Sequence, residues 1–160
     1  MKTFQSYAEL SACAGQEVAI TEWITINQER VNLFADATGD HQWIHVDPEK
    51  AAQGPFGTPI AHGFLSLSLL PLFFSQAVRI DGETMGVNYG LNKVRFPAPV
   101  PVGSRVRARL AVQSVEPVGS DSVQITWQLV VEREGSDKPV CVAESMTRSY
   151  GAAMGADTTS

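Results

Sequence analysis

The densest group of titratable side chains in the sequence lies between residues 36 and 47, and two of its members suit acid–base chemistry. Asp40 supplies a carboxylate and His45 supplies an imidazole five positions later. A carboxylate and an imidazole held close together can take a proton from water and deliver one to a substrate. Pairs with this spacing are more often solvated loop residues than catalytic groups, so the spacing alone does not establish catalysis.

The same stretch offers a second chemical interpretation, a metal site. His41 and His45 are four positions apart, as in the zinc-binding pairs of helices. Asp36 or Asp40 would supply a third ligand. Gly39 argues against this site, because a glycine ends the helix that would have to bring both imidazoles to one face. We therefore expect no metal here.

A third candidate, His62-Gly63, lies at the predicted start of an apolar helix. The first N–H groups of a helix have no partner within it, and they carry the positive end of its dipole. Gly63 has no side chain to obstruct an oxygen atom, so its N–H could bind a carbonyl that gains negative charge during a reaction. Taken alone, the pair is more simply explained as a helix start that follows a proline turn.

Other routes to catalysis are weaker. Ser66, Ser68 and Ser75 lack the Gly-x-Ser-x-Gly surroundings of a nucleophile elbow. Neither Cys13 nor Cys141 has a histidine nearby, and their wide separation without a Cys-x-x-Cys pattern predicts two reduced thiols. The sequence also lacks a Gly-x-Gly-x-x-Gly motif and a P-loop, so these modes of nucleotide binding are not indicated.

The elements that must position these residues can be predicted from capping residues and periodicity. Thr25-Ile-Asn-Gln28 has the form of a capping box and predicts a helix that ends near Gly39. Asp47-Pro48 predicts a second, short helix that reaches Ala52. Residues 40–46 are then a short, constrained connection that carries both acid–base candidates.

A stretch without charged residues runs from residue 51 to residue 78 and needs a membrane test. Residues 60–78 are long enough to span a bilayer, but they contain so many polar groups that their transfer into lipid would be unfavourable. We predict instead a buried helix that is apolar nearly all round and runs from His62-Gly63 to about Val78. Pro71 should bend this helix or set the start of its second half.

The remainder of the chain is predicted to be mainly strands. Residues 5–13 are weakly helical, and strands are expected at residues 17–25, 85–96, 104–117, 121–134 and 139–149. Turns at Gly103, Gly119 and Gly135 would make the last four strands an antiparallel meander. Because only this sheet can cover the apolar helix, we predict an α+β fold with a long central helix wrapped by an antiparallel sheet. It would form one domain over residues 1–150, with a disordered tail at residues 151–160.

Composition narrows the class of partner. The 160 residues carry a net charge of −5, so the chain lacks the basic excess that binding to a phosphate backbone needs. The N-terminal residues contain no apolar segment of the kind found in signal peptides. We expect a cytoplasmic protein that binds neither nucleic acid nor membrane.

Three motifs are similar, in the same order, to those of the MaoC-like (R)-specific enoyl-CoA hydratases. Residues 37–48 resemble the hydratase-2 motif (S/T)-G-D-x-N-P-(L/I)-H-x-D-P. Ile60-Ala-His-Gly63 resembles (I/V)-x-H-G, and residues 96–103 resemble F-x-x-P-V-x-x-G. Gln42-Trp43 replaces the Asn-Pro of the wider family, as in the nodulation-protein-N-like branch. The resemblance covers most of residues 15–149.

The resemblance implies a hot-dog fold, a homodimer, a coenzyme A thioester as substrate and a role in fatty acid metabolism, with no metal or redox cofactor. Asp40 and His45 would catalyse the reversible addition of water to a trans-2-enoyl-CoA, which gives an (R)-3-hydroxyacyl-CoA. The N–H of Gly63 would bind the thioester oxygen. Further substrate-binding residues are expected at Gln42, Trp43, Phe56 and His62.

Two other functions stay open at this point. A hot-dog acyl-CoA thioesterase would also use a carboxylate and a helix N-terminus. A non-catalytic subunit that only binds acyl thioesters would have no need to keep both Asp40 and His45. The presence of the pair therefore favours the hydratase.

Overall fold

The computed structural model describes residues 1–154 of the chain. Its strands are β1 Lys2–Phe4, β2 Glu17–Ile20, β3 Ile24–Thr25, β4 Val78–Ile80, β5 Met85–Arg95, β6 Arg105–Pro117, β7 Ser122–Arg133 and β8 Cys141–Tyr150. Its helices are α1 Tyr7–Ser11, α2 Gln28–Thr38, α3 Trp43–Val46, α4 Pro48–Ala52, α5 Gly63–Ser68 and α6 Leu70–Ala77. The predicted disordered tail was wrong at its start, because Ala152 is buried and Tyr7 N donates to Ala153 O at 3.0 Å, and residues 155–160 lie outside the described part of the chain.

One antiparallel sheet, with the strand order β2-β6-β7-β8-β5, forms the body of the fold, and β3 also pairs with β6. The four long strands agree with the prediction to within two residues. The turns after β6 and β7 contain Gly119 and Gly135, whose φ angles of 74° and 77° suit glycine. The predicted α+β fold, with an antiparallel sheet around a central helical segment, is confirmed.

The position of β5 differs from the predicted meander, because β5 pairs with β8 and not with β6. The segment after β5 contains alternate prolines, which cannot donate hydrogen bonds to a neighbouring strand. This segment instead pairs with the chain that precedes α5. Ala61 N donates to Val100 O at 2.8 Å, and Val102 N donates to Pro59 O at 2.9 Å.

The first predicted strand is interrupted, since residues 17–25 form the two separate strands β2 and β3. At the break, the hydroxyl of Thr21 accepts a hydrogen bond from Ala108 N at 2.9 Å, in place of a main-chain carbonyl. The three-residue strands β1 and β4, which pair in parallel, were not predicted because they are too short to show a period.

The helix before the candidate site begins later than the capping-box pattern predicts. Its N-cap is Asn27, whose side chain accepts from Arg30 N at 2.9 Å, whereas Thr25 belongs to β3. The helix ends as predicted at Gly39, which has a left-handed conformation with a φ of 80°. Pro48 begins α4 with Asp47 as its N-cap, also as predicted.

The central helical segment consists of two helices separated at Leu69, and Pro71 lies in the first turn of the second one. A proline is tolerated there because its missing N–H would have no partner within the helix. Leu65 and Phe73 are buried in the core, but Phe64 is 69% exposed. The prediction of a buried helix is therefore correct for one side of the segment and wrong for the side that exposes Phe64. Within residues 1–154, each helix is too short to cross a membrane.

Candidate active site

Asp40 lies immediately after the left-handed Gly39 that ends α2, and its side chain is 53% exposed. Two long hydrogen bonds hold this segment locally. Asp40 N donates to the Thr38 hydroxyl at 3.4 Å, and Gln42 N donates to the Asp40 carboxylate at 3.4 Å. The carboxylate is thus accessible and keeps most of its hydrogen-bonding capacity.

His45 lies in α3, a single helical turn that was not predicted within the short connection of residues 40–46. The imidazole is only 6% exposed, and its Nδ1 lies 2.6 Å from the carbonyl oxygen of Ile60. A carbonyl only accepts hydrogen bonds, so Nδ1 carries the proton and Nε2 keeps its lone pair in the neutral imidazole. Burial is the main cause that lowers the pKa of His45, and the bond to Ile60 partly opposes it.

The buried ring of His62 lies next to both candidate catalytic residues. It stacks on the ring of His45, with the centroids 3.8 Å apart and the planes at 25°. Its Nε2 lies 2.9 Å from the carbonyl oxygen of Asp40 and 4.0 Å from the Asp40 carboxylate. Residues from the end of α2, from α3 and from the start of α5 therefore meet at one point.

A cleft of about 220 Å³ opens at this point. Its walls are formed by Asp40, His45, His62, Gly63, Phe64 and Phe96. A second, mostly apolar cavity of about 320 Å³ shares Gly63 and Phe96 with the cleft and is also lined by Phe56. The cleft is the polar part of this region and the cavity is its apolar part, and Gly63 lies between them.

Of the predicted site residues, Asp40, His45, His62 and Gly63 come together, and Phe56 lines the neighbouring cavity. Gln42 and Trp43 line neither space. The ring of Trp43 instead packs closely against Gly54, where an added Cβ would lie 2.8 Å from it. The Lys50 ammonium lies 5.0 Å from the ring centroid.

Three contributors to the site were given no role from the sequence. Phe64 and Phe96 form walls of the cleft with their rings 6.0 Å apart, and the carbonyl of Ile60 sets the tautomer of His45. Phe96 begins one of the three family-like motifs, so its place in that motif could have marked it. Ile60 also begins a family-like motif, but the motif gives no sign that its carbonyl binds His45, and Phe64 has no comparable sequence signal.

The histidines are arranged differently from the metal set considered from the sequence. His41 lies outside the cleft and is bound to Asp36 at 2.9 Å, and this hydrogen bond raises the pKa of His41. The side chains of Asp40, His45 and His62 each offer a ligand atom within 4.8 Å of the others. However, His45 Nδ1 and His62 Nε2 already donate to carbonyl oxygens, and the second ring nitrogen of His62 is buried, so among these imidazole nitrogens His45 Nε2 is the one left for other chemistry.

Both cysteines are free, as predicted. Cys13 is half-buried and Cys141 is buried. Burial raises the pKa of the Cys141 thiol to about 11, so this side chain stays protonated near neutral pH and is a poor nucleophile.

Comparison with known proteins shows which family this chain is similar to. Residues 9–133 match the model of the MaoC like domain. The chain is 62% identical over 148 residues to 3-hydroxyacyl-thioester dehydratase Z of Mycobacterium tuberculosis, and the aligned region covers 92% of this chain and 98% of that protein. It is 47% identical over 144 residues to Nodulation protein N of Rhizobium leguminosarum bv. viciae, covering 89% of each.

The fold has solved counterparts. The structure of R-hydratase PhaJ1 from Pseudomonas aeruginosa in the unliganded form aligns with a TM-score of 0.67 and 26% identity, covering 93% of this chain and 86% of that one. A MaoC-like hot-dog fold is thus shown by sequence and by structure together. The chain belongs to the MaoC-like dehydratase family and is an enzyme of the hydro-lyase type.

Proposed function

We propose that this protein is an (R)-specific enoyl-CoA hydratase, which adds water reversibly to a trans-2-enoyl-CoA and forms an (R)-3-hydroxyacyl-CoA. The proposal depends mainly on one observation, the meeting of Asp40, His45 and Gly63 in a single cleft. The dehydratase names of its relatives support the reaction type, because hydration and dehydration are the two directions of one equilibrium.

The acid–base step uses Asp40 and His45 together. A water molecule held between the Asp40 carboxylate and His45 Nε2 would lose a proton to this pair as its oxygen forms a bond to C3. The electron pair of the C2–C3 double bond moves towards the thioester carbonyl, and a proton is returned to C2 from the same side. The neutral Nδ1–H tautomer of His45 leaves Nε2 free for this proton transfer.

Charge on the thioester oxygen needs a separate donor. Gly63 is the first residue of α5, so its N–H has no partner within the helix, and it lies at the wall of the cleft. A single donor of this kind contributes roughly 3 kcal/mol to the stability of an anionic transition state. We assign the Gly63 N–H to the thioester oxygen.

The apolar cavity next to the cleft would take part of the substrate beyond the reacting atoms. Its walls are mainly proline, alanine, valine and aromatic side chains, and Phe56 lies among them. This composition suits an acyl chain more than the polar pantetheine arm. We retain Phe56 as a substrate-binding residue and no longer assign that role to Gln42 and Trp43.

We further propose a cytoplasmic homodimer formed through β5. This strand pairs with β8 along one edge, and no other described strand pairs with its second edge. It exposes Met85, Val87, Tyr89 and Leu91 to between 43% and 58%. An edge strand with exposed apolar side chains is a template for pairing with another chain, and a second copy would bury both the strand edge and these side chains.

The test is to offer the purified protein trans-2-enoyl-CoA thioesters of increasing chain length. Loss of the conjugated double bond without release of free thiol is expected. Release of thiol would indicate a thioesterase, and binding without turnover would indicate a binding subunit. Either result would contradict the proposed hydratase.

Two variants test the acid–base pair. Asp40→Asn and His45→Gln should each lower the hydration rate by roughly 10²–10⁴-fold, the usual contribution of a general acid or base. Asp36→Asn is the matched control, because it removes a nearby exposed carboxylate that binds His41 and lies outside the cleft. Near-normal hydration by Asp40→Asn or His45→Gln would show that the assigned role is wrong.

A further inference from the structure

His62 was expected to bind substrate, but its surroundings indicate a different use of the side chain. The residue is 2% exposed and directly precedes the first residue of α5. One face of its ring stacks on His45, and the ring of Phe34 lies 4.9 Å away at 55°. An imidazole enclosed in this way has little surface left for a ligand.

The hydrogen bond from His62 to Asp40 spans 22 residues of sequence. Nε2 must carry the proton, because the Asp40 carbonyl oxygen can only accept. At 2.9 Å this bond is shorter than the two local bonds that hold the Asp40 segment, which are both 3.4 Å. The backbone of Asp40 is therefore held from the start of α5 as well as from the end of its own helix, where Gly39 N donates to Ala35 O at 2.8 Å.

The second ring nitrogen of His62, Nδ1, is buried and has no hydrogen-bond partner among residues 1–154. An unpaired buried acceptor is unfavourable for folding. The imidazole is present in spite of that cost. This indicates that its donated hydrogen bond and its ring face have a function that an apolar side chain could not perform.

We propose that His62 is a positioning residue that sets the Asp40 carboxylate and the His45 imidazole relative to each other and to Gly63. Its Nε2–H holds the backbone of Asp40, its ring supports the plane of His45, and its own backbone leads directly into Gly63. The inference rests on the proposed hydratase function and adds the residue that holds its parts together.

Two variants separate the donated bond from the ring. His62→Phe keeps a flat ring against His45 but has no donor, whereas His62→Gln keeps an N–H of similar reach but has no ring. We expect kcat to fall about 10²-fold in His62→Phe, since a misplacement of about 1 Å costs that much. KM should change by less than about threefold, because lost orientation affects the transition state more than substrate binding. The kcat of His62→Gln should be about tenfold higher than that of His62→Phe, because the amide restores the donated bond.

Phe34→Leu is the control for packing, because it alters the other contact of the His62 ring without removing its hydrogen bond. It should leave kcat within about twofold of the wild type. Thermal unfolding of each variant shows which ones fold. Should His62→Phe not fold, His62→Asn replaces it, since its shorter amide does not reach the Asp40 carbonyl. A folded His62→Phe or His62→Asn with nearly normal kcat, or with a raised KM alone, would overturn the inference.

A measurement without turnover keeps the inference distinct from the proposed function. Nitrogen NMR of the imidazole should show the Nε2–H tautomer of His62, and hydrogen exchange at residues 40–42 should become faster in His62→Phe. An Nδ1–H tautomer, or unchanged exchange, would overturn the role of His62 whatever the reaction. Absence of hydration by the wild-type protein would instead overturn the proposed function alone.

Discussion

Replacement of Gly63 by alanine tests how tightly the cleft is built. A Cβ at this position would lie 2.9 Å from Cδ2, 3.0 Å from Cγ and 3.1 Å from Cε2 of Phe96. Such distances are too short for carbon atoms, which are in contact near 3.5–4.0 Å. Phe96 is 38% exposed, so its ring can move outward, but it must then leave its place in the wall of the cleft.

The expected stability change combines two opposite effects. Exchange of glycine for alanine stabilises by about 0.4–1 kcal/mol where the backbone permits, because the unfolded chain loses freedom. Crowding against a packed ring costs about 1–3 kcal/mol. Gly63→Ala should therefore lower the free energy of unfolding by about 1 kcal/mol. In a Phe96→Ala background the crowding is absent, and the same exchange should stabilise the protein.

The assay is a double-mutant cycle with Gly63→Ala, Phe96→Ala and the double variant. Urea unfolding gives the stability, and initial rates of loss of the enoyl double bond give kcat/KM. We expect a coupling of about 1–3 kcal/mol in stability, and a kcat/KM for Gly63→Ala about tenfold below the wild type. Additive effects to within about 0.5 kcal/mol would refute the contact between Gly63 and Phe96 as the cause.

Two further predictions concern pH and assembly. Burial lowers the pKa of His45 below 6.5, so the unfolded chain takes up its proton first as the pH falls. The free energy of unfolding should therefore decrease as the pH falls from about 6.5 through the pKa of the folded state, and this dependence should be weaker in His45→Gln. Urea unfolding between about pH 5 and 8 measures it, and equal slopes would contradict it. For assembly, Val87→Lys on β5 should convert the proposed dimer to a monomer in sedimentation, whereas Leu33→Lys, at a 62% exposed position on α2, should not. An unchanged dimer in Val87→Lys would show that β5 is not the interface.

Local signals in the sequence were sufficient to predict those helices and strands whose bounds are set by the residues within or next to them. Asp47 and Pro48 specify the start of α4, and Gly39 specifies the end of α2, because capping and left-handed backbone depend on the residue at that position. Long strands that alternate over ten or more residues were also predicted closely. By contrast, α3 has only four residues and no side-chain hydrogen bond at its N-cap, so no local pattern marks it.

The candidate site shows the same division. The pairing of Asp40 with His45 and the place of Gly63 could be predicted, because a short segment and a helix start carry them. The burial of His45, its bond to Ile60 and the stacking of His62 on its ring could not, since each joins segments 15 or more residues apart. The order of the strands, with β5 beside β8, depends in the same way on the path of the chain through residues 97–104.

The sequence by itself determined which residues can do acid–base chemistry, which elements they stand on and which family the motifs resemble, because these follow from residue type and short-range spacing. Only the tertiary structure decided how those residues are used. It stacked His62, an expected substrate contact, on His45 and bonded it to the Asp40 carbonyl, and it placed Phe96 against Gly63. Tautomers, burial and close contacts arise where distant segments pack together, and packing is a property of the whole fold.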